Sequence, residues 1–170
     1  MRKKIIVTGG AGFIGSHTVV ELLANGYDPI IIDNLSNSQQ SMLEGIQQIT
    51  GVRLKFYNID CKNQEAVYKV FMLERDVVGL IHFAAYKSVS ESGRDPIKYY
   101  ENNLGSLLVM IKAMREFGVK QLVFSSSATV YGQADLLPVT EDAPLKKAVS
   151  AYGLSKQMCE QIICDAVKSY

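Results

Sequence analysis

The chain has 170 residues, 48% of them hydrophobic, which is enough apolar material for a sizeable core and, at this length, for one domain. Eighteen basic residues against seventeen acidic ones leave a formal charge of +1, so charge gives no reason to expect a nucleic acid or an anionic membrane as partner. The basic N-terminus Met1-Arg2-Lys3-Lys4 is followed by only three apolar residues, too few for a signal-peptide core or a membrane span, and the expected location is cytoplasmic.

That first apolar run, Ile5-Ile6-Val7, reads as a strand and leads into Thr8-Gly9-Gly10-Ala11-Gly12-Phe13-Ile14-Gly15. Strand, glycine-rich turn and helix start in this order form a phosphate site, because backbone N–H groups can approach an anion where no Cβ intervenes. The spacing is G-x-x-G-x-x-G rather than the commoner G-x-G-x-x-G, and an ordinary tight turn has the same composition. A helix follows from about Phe13 to Asn25 with Val19, Leu22 and Leu23 as its buried stripe, stopping at Gly26.

The second strand, Ile30–Ile32, ends at Asp33, 18 residues after Gly15, where a dinucleotide fold places a carboxylate against ribose hydroxyls and disfavours a 2′-phosphate. A capping or loop aspartate is the alternative. Asn34-Leu35-Ser36-Asn37-Ser38 is then a polar loop suited to an adenosine pocket. A third strand, Leu54–Tyr57, precedes Asp60, which either accepts from an adenine amine or caps the helix expected from Asn63 to about Leu73.

The fourth strand runs from Val77 into Phe83-Ala84-Ala85-Tyr86-Lys87, whose small residues let a flat ligand approach the backbone. Asp95-Pro96 is a cap followed by proline at the first helical position, opening a helix of about 22 residues to the break at Gly118. Its stripe is Tyr99, Tyr100, Asn103, Leu104, Leu107, Leu108, Ile111 and Met114. The fifth strand, Leu122–Phe124, ends in Ser125-Ser126-Ser127-Ala128-Thr129-Val130-Tyr131-Gly132, three hydroxyls at the edge where open α/β sheets hold ligands. Gln133 to Val149 reads as a loop, and Ser150 caps a last helix from Ala151 to about Lys168. Runs of continuous apolar strand alternating with helices predict an α/β fold, a doubly wound parallel sheet with helices on both faces.

Cys61, Cys159 and Cys164 form no C-x-x-C pair, so neither a disulfide framework nor a zinc site is expected. Cys159 and Cys164 lie about 140° apart around a helix and face no common ligand. His17 and His82 have no histidine neighbours in sequence and read as packing or locally bonded groups. Tyr152 and Lys156, four apart, share one helix face about a turn apart. A tyrosine acting as base near neutral pH needs its pKa lowered by about three units, roughly 4 kcal/mol, and a neighbouring ammonium favours the phenolate. The pattern Tyr-x-x-x-Lys is common on surface helices, and gains meaning here from the glycine turn and the strand-end serines that precede it.

With the motifs Thr-Gly-Gly-Ala-Gly-Phe-Ile-Gly, Asp-Asn-Leu-Ser-Asn-Ser, Phe-Ala-Ala-Tyr-Lys, Ser-Ser-Ser-Ala-Thr-Val-Tyr-Gly and Tyr-Gly-Leu-Ser-Lys in order, the whole chain resembles the extended short-chain dehydrogenase/reductase family, in particular its sugar-nucleotide epimerases. The resemblance implies a Rossmann-like NAD-binding domain over residues 1–170 and explains the G-x-x-G-x-x-G spacing. It implies that Gly9, Gly12, Phe13, Ile14 and Gly15 make the pyrophosphate turn, that Asp33, Asn34, Leu35, Ser36, Asn37 and Ser38 hold the adenosine, and that Asp60 and Cys61 flank adenine. Phe83, Ala84, Ala85, Tyr86, Lys87 and Asn102 would border the nicotinamide half. Ser127 would bond the 4-hydroxyl of a UDP-sugar, Tyr152 would remove its proton, and Lys156 would bind the nicotinamide ribose while polarising the tyrosine. The implied reaction is C4 epimerisation of a UDP-hexose such as UDP-glucose or UDP-galactose through a transient 4-ketosugar. Relatives that dehydrate carry an Asp-Glu pair after the strand-five threonine, whereas Ala128-Thr129 stand here.

Family members extend well past the position of Tyr170 into a lobe that binds the nucleotide sugar, so the expected sheet is incomplete and lacks that lobe. Strand order 3-2-1-4-5 would leave the fifth strand as an edge, from which self-association as a homodimer or other oligomer is expected. The alternative to an epimerase is a catalytically inactive dinucleotide-binding module.

Overall fold

Each apolar run named above becomes a strand in the computed structural model, which describes residues 2–169; Met1 and Tyr170 lie outside the described residues. The strands are β1 (Lys4–Thr8), β2 (Asp28–Asp33), β3 (Lys55–Asn58), β4 (Val77–His82) and β5 (Gln121–Phe124). The helices are α1 (Phe13–Ala24), α2 (Ser41–Thr50), α3 (Gln64–Leu73), α4 (Val89–Arg94), α5 (Pro96–Glu116) and α6 (Ala151–Ser169). The chain divides into two compact units, Met1–Ala84 with Ser106–Ser125, and Ala85–Gly105 with Ser126–Tyr170.

The first unit holds the sheet, parallel throughout and ordered β3-β2-β1-β4-β5 as expected. Because successive side chains on a strand point to opposite faces, the run Ile30-Ile31-Ile32 serves two cores. Ile30 and Ile32 join Ile6 and Leu80 against Val67, Val70 and Phe71 of α3 and Val109, Met110, Ala113 and Met114 of α5. Ile31 joins Val7 against Val19 and Leu23 of α1 and Ile46 of α2. All three isoleucines are 0% exposed, which is why the strand reads as an unbroken apolar run. β5 pairs only with β4 in this sheet, and its Val123 is 60% exposed.

Local signals account for most boundaries. Gly26, Gly51 and Gly118 have φ of +78°, +68° and +70° just beyond helix ends, a conformation that a side chain resists. Asp95 Oδ1 accepts the N–H of Lys98 at 3.3 Å ahead of Pro96. The cap of α3 is Asn63, whose Oδ1 accepts the Ala66 N–H at 3.1 Å. The alternative that Asp60 caps this helix is therefore corrected: Asp60 Oδ1 accepts the N–H of Lys62 at 2.8 Å and closes a tight turn instead. Two helices, α2 and α4, lie where no helix is expected above, although α2 is amphipathic and Ser88 Oγ accepts the Glu91 N–H at 3.3 Å at the start of α4. α2 buries only Ile46 fully, and α4 is six residues long.

In the second unit a 3₁₀ turn, Ala128–Tyr131, follows the serines, and Ser150 Oγ accepts the Gly153 N–H at 3.0 Å to cap α6. Residues 133–149 contain neither helix nor strand, as expected. Cys61 and Cys159 are buried and Cys164 exposed. Burial pushes the Cys61 thiol up to about 12 and that of Cys159 up to about 11. An aromatic disulfide reagent at pH 8 is accordingly expected to titrate Cys164 alone in the native chain and all three thiols in urea; rapid native labelling of three would contradict the packing.

Candidate functional site

In the first unit, β1 and α1 are joined by a loop with almost no spare room. Gly9 has φ +68°, and a Cβ built on it would lie 2.8 Å from Ala84 N. A Cβ on Gly15 would lie 2.2 Å from Gly9 O, and one on Gly12 3.1 Å from the same oxygen. The loop folds onto itself through Gly12 N–H to Gly9 O at 3.0 Å. Gly12 is also the N-cap of α1 and offers no side-chain acceptor, so no side chain caps the positive end of this helix. Phe13 and Ile14, in the first turn, are 72% and 60% exposed. A helix N-terminus so arranged can receive a pyrophosphate.

Asp33, 8% exposed, organises the neighbouring loop. Its Oδ2 accepts the Ala11 N–H at 3.1 Å, while Oδ1 accepts the Leu35 N–H and the Ser38 hydroxyl, each at 2.9 Å. The carboxylate thus ties the glycine loop to the polar 34–38 segment, where Asn34 Oδ1 accepts the Ser36 N–H at 3.1 Å. Two oxygens offer about four lone-pair sites, so capacity remains for a diol donor. Asp60 is half-exposed after β3, but the adjacent Cys61 thiol packs into the core with Val67 and Phe71, which leaves only its backbone to face a ligand. Phe83 packs partly beneath α1 and α2, and Ala84 donates its N–H to Thr8 Oγ1 at 3.3 Å.

In the second unit, Tyr152 and Lys156 lie on the first turns of α6 and are 9% and 3% exposed. The Tyr152 ring meets Tyr99 edge-on at 6.4 Å between centroids. Ser127 Oγ caps the 3₁₀ turn, accepting from Thr129 N at 3.3 Å and from Thr129 Oγ1 at 2.9 Å, which leaves its own proton to donate. That turn and the start of α6 are neighbours, since a Cβ on Gly153 would lie 3.2 Å from Thr129 O. Asn102 donates to Asn103 Oδ1 at 3.1 Å, and Lys98 sits 4.9 Å from the centre of the Tyr86 ring.

Burial lowers the Lys156 pKa from 10.5 to about 8, against the raising influence of Cys159 and Glu160. The unfolded chain therefore holds this proton between about pH 8 and 10.5 after the folded chain has released it. Stability contributed by Lys156 is lowest below pH 8 and rises across that window, by roughly 3 kcal/mol in all. Urea unfolding of the wild type and of Lys156→Met should diverge in the wild type's favour as pH rises from 7.5 to 10; parallel curves would show that the ammonium is not desolvated.

Several residues that shape this region were not singled out beforehand. Asn103 was placed in an apolar stripe, yet its amide donates to Tyr86 O and Ser155 Oγ, both at 3.0 Å, and accepts the Tyr86 N–H at 2.8 Å. Ser155 Oγ donates in turn to Tyr152 O at 2.7 Å, and Gln157 donates to Val130 O at 2.6 Å. Ser126 bonds Glu160. An asparagine inside an apolar stripe was the available signal, because a buried amide must find partners. Among the described residues, no group of three or more His, Cys, Asp or Glu side chains is arranged to hold a metal ion. Nor is any helix there long and apolar enough to cross a membrane.

Residues 5–170 match the model of a family described as the NAD dependent epimerase/dehydratase family. A UDP-glucose 4-epimerase of Bacillus subtilis is 52% identical over 161 residues, covering 95% of this chain and 47% of the relative. The crystal structure of UDP-glucose 4-epimerase from Bifidobacterium longum in complex with NAD+ and UDP superposes with a TM-score of 0.95 at 46% identity, over 98% of this chain and 50% of that one. That of the Stenotrophomonas maltophila enzyme, with bound NAD and formylated UDP-arabinopyranose, gives 0.93 at 40% identity, over 99% and 49%. The chain spans about half the length of the curated relatives it matches.

Proposed function

From the premise that the chain belongs to the NAD dependent epimerase/dehydratase family, we propose that it is the dinucleotide-binding half of an enzyme that epimerises C4 of a UDP-hexose. The observation that carries this reading is the buried Tyr152 and Lys156 pair on one face of α6. A chance Tyr-x-x-x-Lys lies on a solvated surface, and lysine is rarely buried without a task. The UDP-glucose 4-epimerases it resembles supply the substrate class.

The residues present fit NAD. The backbone of Gly9, Gly12, Phe13, Ile14 and Gly15 would hold the pyrophosphate, and Asp33 would accept from the adenosine ribose while repelling a 2′-phosphate. Asn34, Leu35, Ser36, Asn37 and Ser38, with Asp60 and the Cys61 backbone, would line the adenosine; Phe83, Ala84, Ala85, Tyr86, Lys87 and Asn102 would line the nicotinamide. When bound, NAD+ supplies the acceptor of the C4 hydride and the source of its return. Ser127 donates its remaining proton to the sugar's 4-oxygen and orients the hydroxyl. Tyr152 takes the hydroxyl proton as a phenolate and gives it back when the 4-ketosugar is reduced on its other face. Lys156 would bond the nicotinamide ribose and, as an ammonium, would favour the phenolate. The exposed β5 edge supports self-association, which sedimentation would measure.

The half-length match favours a second reading for the chain by itself, that it holds NAD without turnover. In a coupled assay of UDP-galactose conversion the 170-residue chain should show no turnover, and a protein extended by the C-terminal half of its relatives should show it. Turnover by the short chain would remove the second reading, and absence of NAD from both purified proteins would remove the first.

A further inference from the structure

His82, 1% exposed at the end of β4, has no part in the chemistry proposed above. Its Nδ1 lies 2.8 Å from Oγ1 of Thr8, the last residue of β1, and its Nε2 lies 3.5 Å from Ser106 Oγ on α5. The ring stacks on Phe124 of β5, 6.1 Å between centroids with 17° between planes. Thr8 is thereby held to three consecutive residues. Its carbonyl accepts the Phe83 N–H at 3.0 Å, its hydroxyl oxygen accepts the Ala84 N–H at 3.3 Å, and the same hydroxyl meets the His82 ring. The chain leaves Thr8 as Gly9, where a Cβ would come within 2.8 Å of Ala84 N. The spacing between the glycine loop and Ala84 is therefore as small as backbone allows, and the Thr8 hydroxyl sits at its base.

We propose that His82 is a positioning residue: by bonding Thr8 Oγ1 it fixes the hydroxyl that receives the Ala84 N–H, and so sets the distance between the glycine loop and the segment after β4. Its bearing on ligand affinity rests on the reading in which that loop holds NAD. Either ring tautomer closes the bridge, with Thr8 donating to Nδ1 or accepting from it. A residue that merely filled space would be replaced without loss by leucine, whereas this bridge needs a polar atom at the Nδ1 position, which the shorter asparagine amide supplies.

Amide hydrogen exchange in the NAD-free chain tests the bridge directly. His82→Leu and Thr8→Val are expected to speed exchange at Ala84 and Gly12 by roughly tenfold or more relative to the core amide of Ile31, while His82→Asn keeps the wild-type ratio. Calorimetry with NAD should give roughly tenfold weaker binding in the same two variants, near wild-type binding for His82→Asn, and a double variant no worse than the poorer single one. Unchanged Ala84 exchange in His82→Leu, or additive losses in the double variant, overturns the proposal. If His82→Leu does not fold, Thr8→Val against Thr8→Ser carries the comparison: serine keeps the hydroxyl and must keep the protection, and equal exchange in the two overturns it. Wild-type failure to bind NAD would sink the functional reading, and the exchange comparison would still decide the positioning role.

Discussion

Tyr152→Phe, in a protein that carries this chain together with the C-terminal half found in its relatives, is expected to lower C4 epimerisation by about 10³-fold or more and to leave NAD affinity within about threefold. The direction follows from chemistry: the proposed step needs an oxygen that can shed and regain a proton, and phenylalanine has none. A positioned acid–base group contributes about 10² to 10⁴ in rate, so 10³ corresponds to about 4 kcal/mol of the barrier. Substitute water is a poor replacement, because Tyr152 is 9% exposed and its ring is held edge-on against Tyr99. The ring contacts survive in the variant, so the fold should survive with them. Single-turnover kinetics with UDP-galactose, read beside NAD calorimetry, separate the outcomes. Epimerisation within tenfold of wild type would take the proton-transfer role away from Tyr152. Loss of NAD binding together with activity would instead mean that the ring is a structural wall.

How far the sequence foretold this arrangement depends on the range of the interactions involved. The five strands and helices α1, α3, α5 and α6 rest on periodicity, glycine stops and caps such as Asn63 and Ser150, all of which act within a few residues, whereas the strand order follows from the family resemblance and not from any local signal. α2 is amphipathic, with Leu43 and Ile46 on the core side and Glu44, Gln47 and Gln48 exposed, so its pattern is legible in the sequence although no helix is expected there above. The tie from Asp33 to Ala11 spans 22 residues, and that from Asn103 to Ser155 spans 52. Neither leaves a local trace, since a carboxylate or an amide looks the same in sequence whether it faces water or a distant N–H. The burial of Lys156 was equally unreadable: a lysine four residues after a tyrosine suits a wet surface as well as a closed one. His82 shows the same gap, having been read as a packing or locally bonded group when its bond reaches Thr8, 74 residues earlier.

Gly15→Ala is expected to be the most damaging single methyl group in the loop. Its Cβ would fall 2.2 Å from Gly9 O and 2.8 Å from Gly10 Cα, and both are backbone atoms with no flexible side chain to swing away. Gly9 cannot retreat freely, because its N–H is bonded to Ile32 O at 2.8 Å and its own Cα faces Ala84 N. Its carbonyl also receives the Gly12 N–H, so displacing it opens the turn. The remaining escape is a shift of α1 away from the loop on the order of 1 Å, which strips the close packing of Val19 and Leu23 against Val7 and Ile31. Overpacking of this kind costs about 3 kcal/mol in stability. A misplaced helix N-terminus should weaken NAD binding by about 100-fold or more, equivalent to about 3 kcal/mol. Gly12→Ala, 3.1 Å from the same carbonyl, should do less. Gly45→Ala, inside α2 with nothing within 4 Å, should stabilise the chain by about 0.5 to 1 kcal/mol, because alanine loses less backbone freedom on folding. Urea midpoints and NAD calorimetry on the three variants rank them. Wild-type NAD affinity in Gly15→Ala would mean that the loop relaxes around a methyl group, and its close fit would then not be what holds a pyrophosphate.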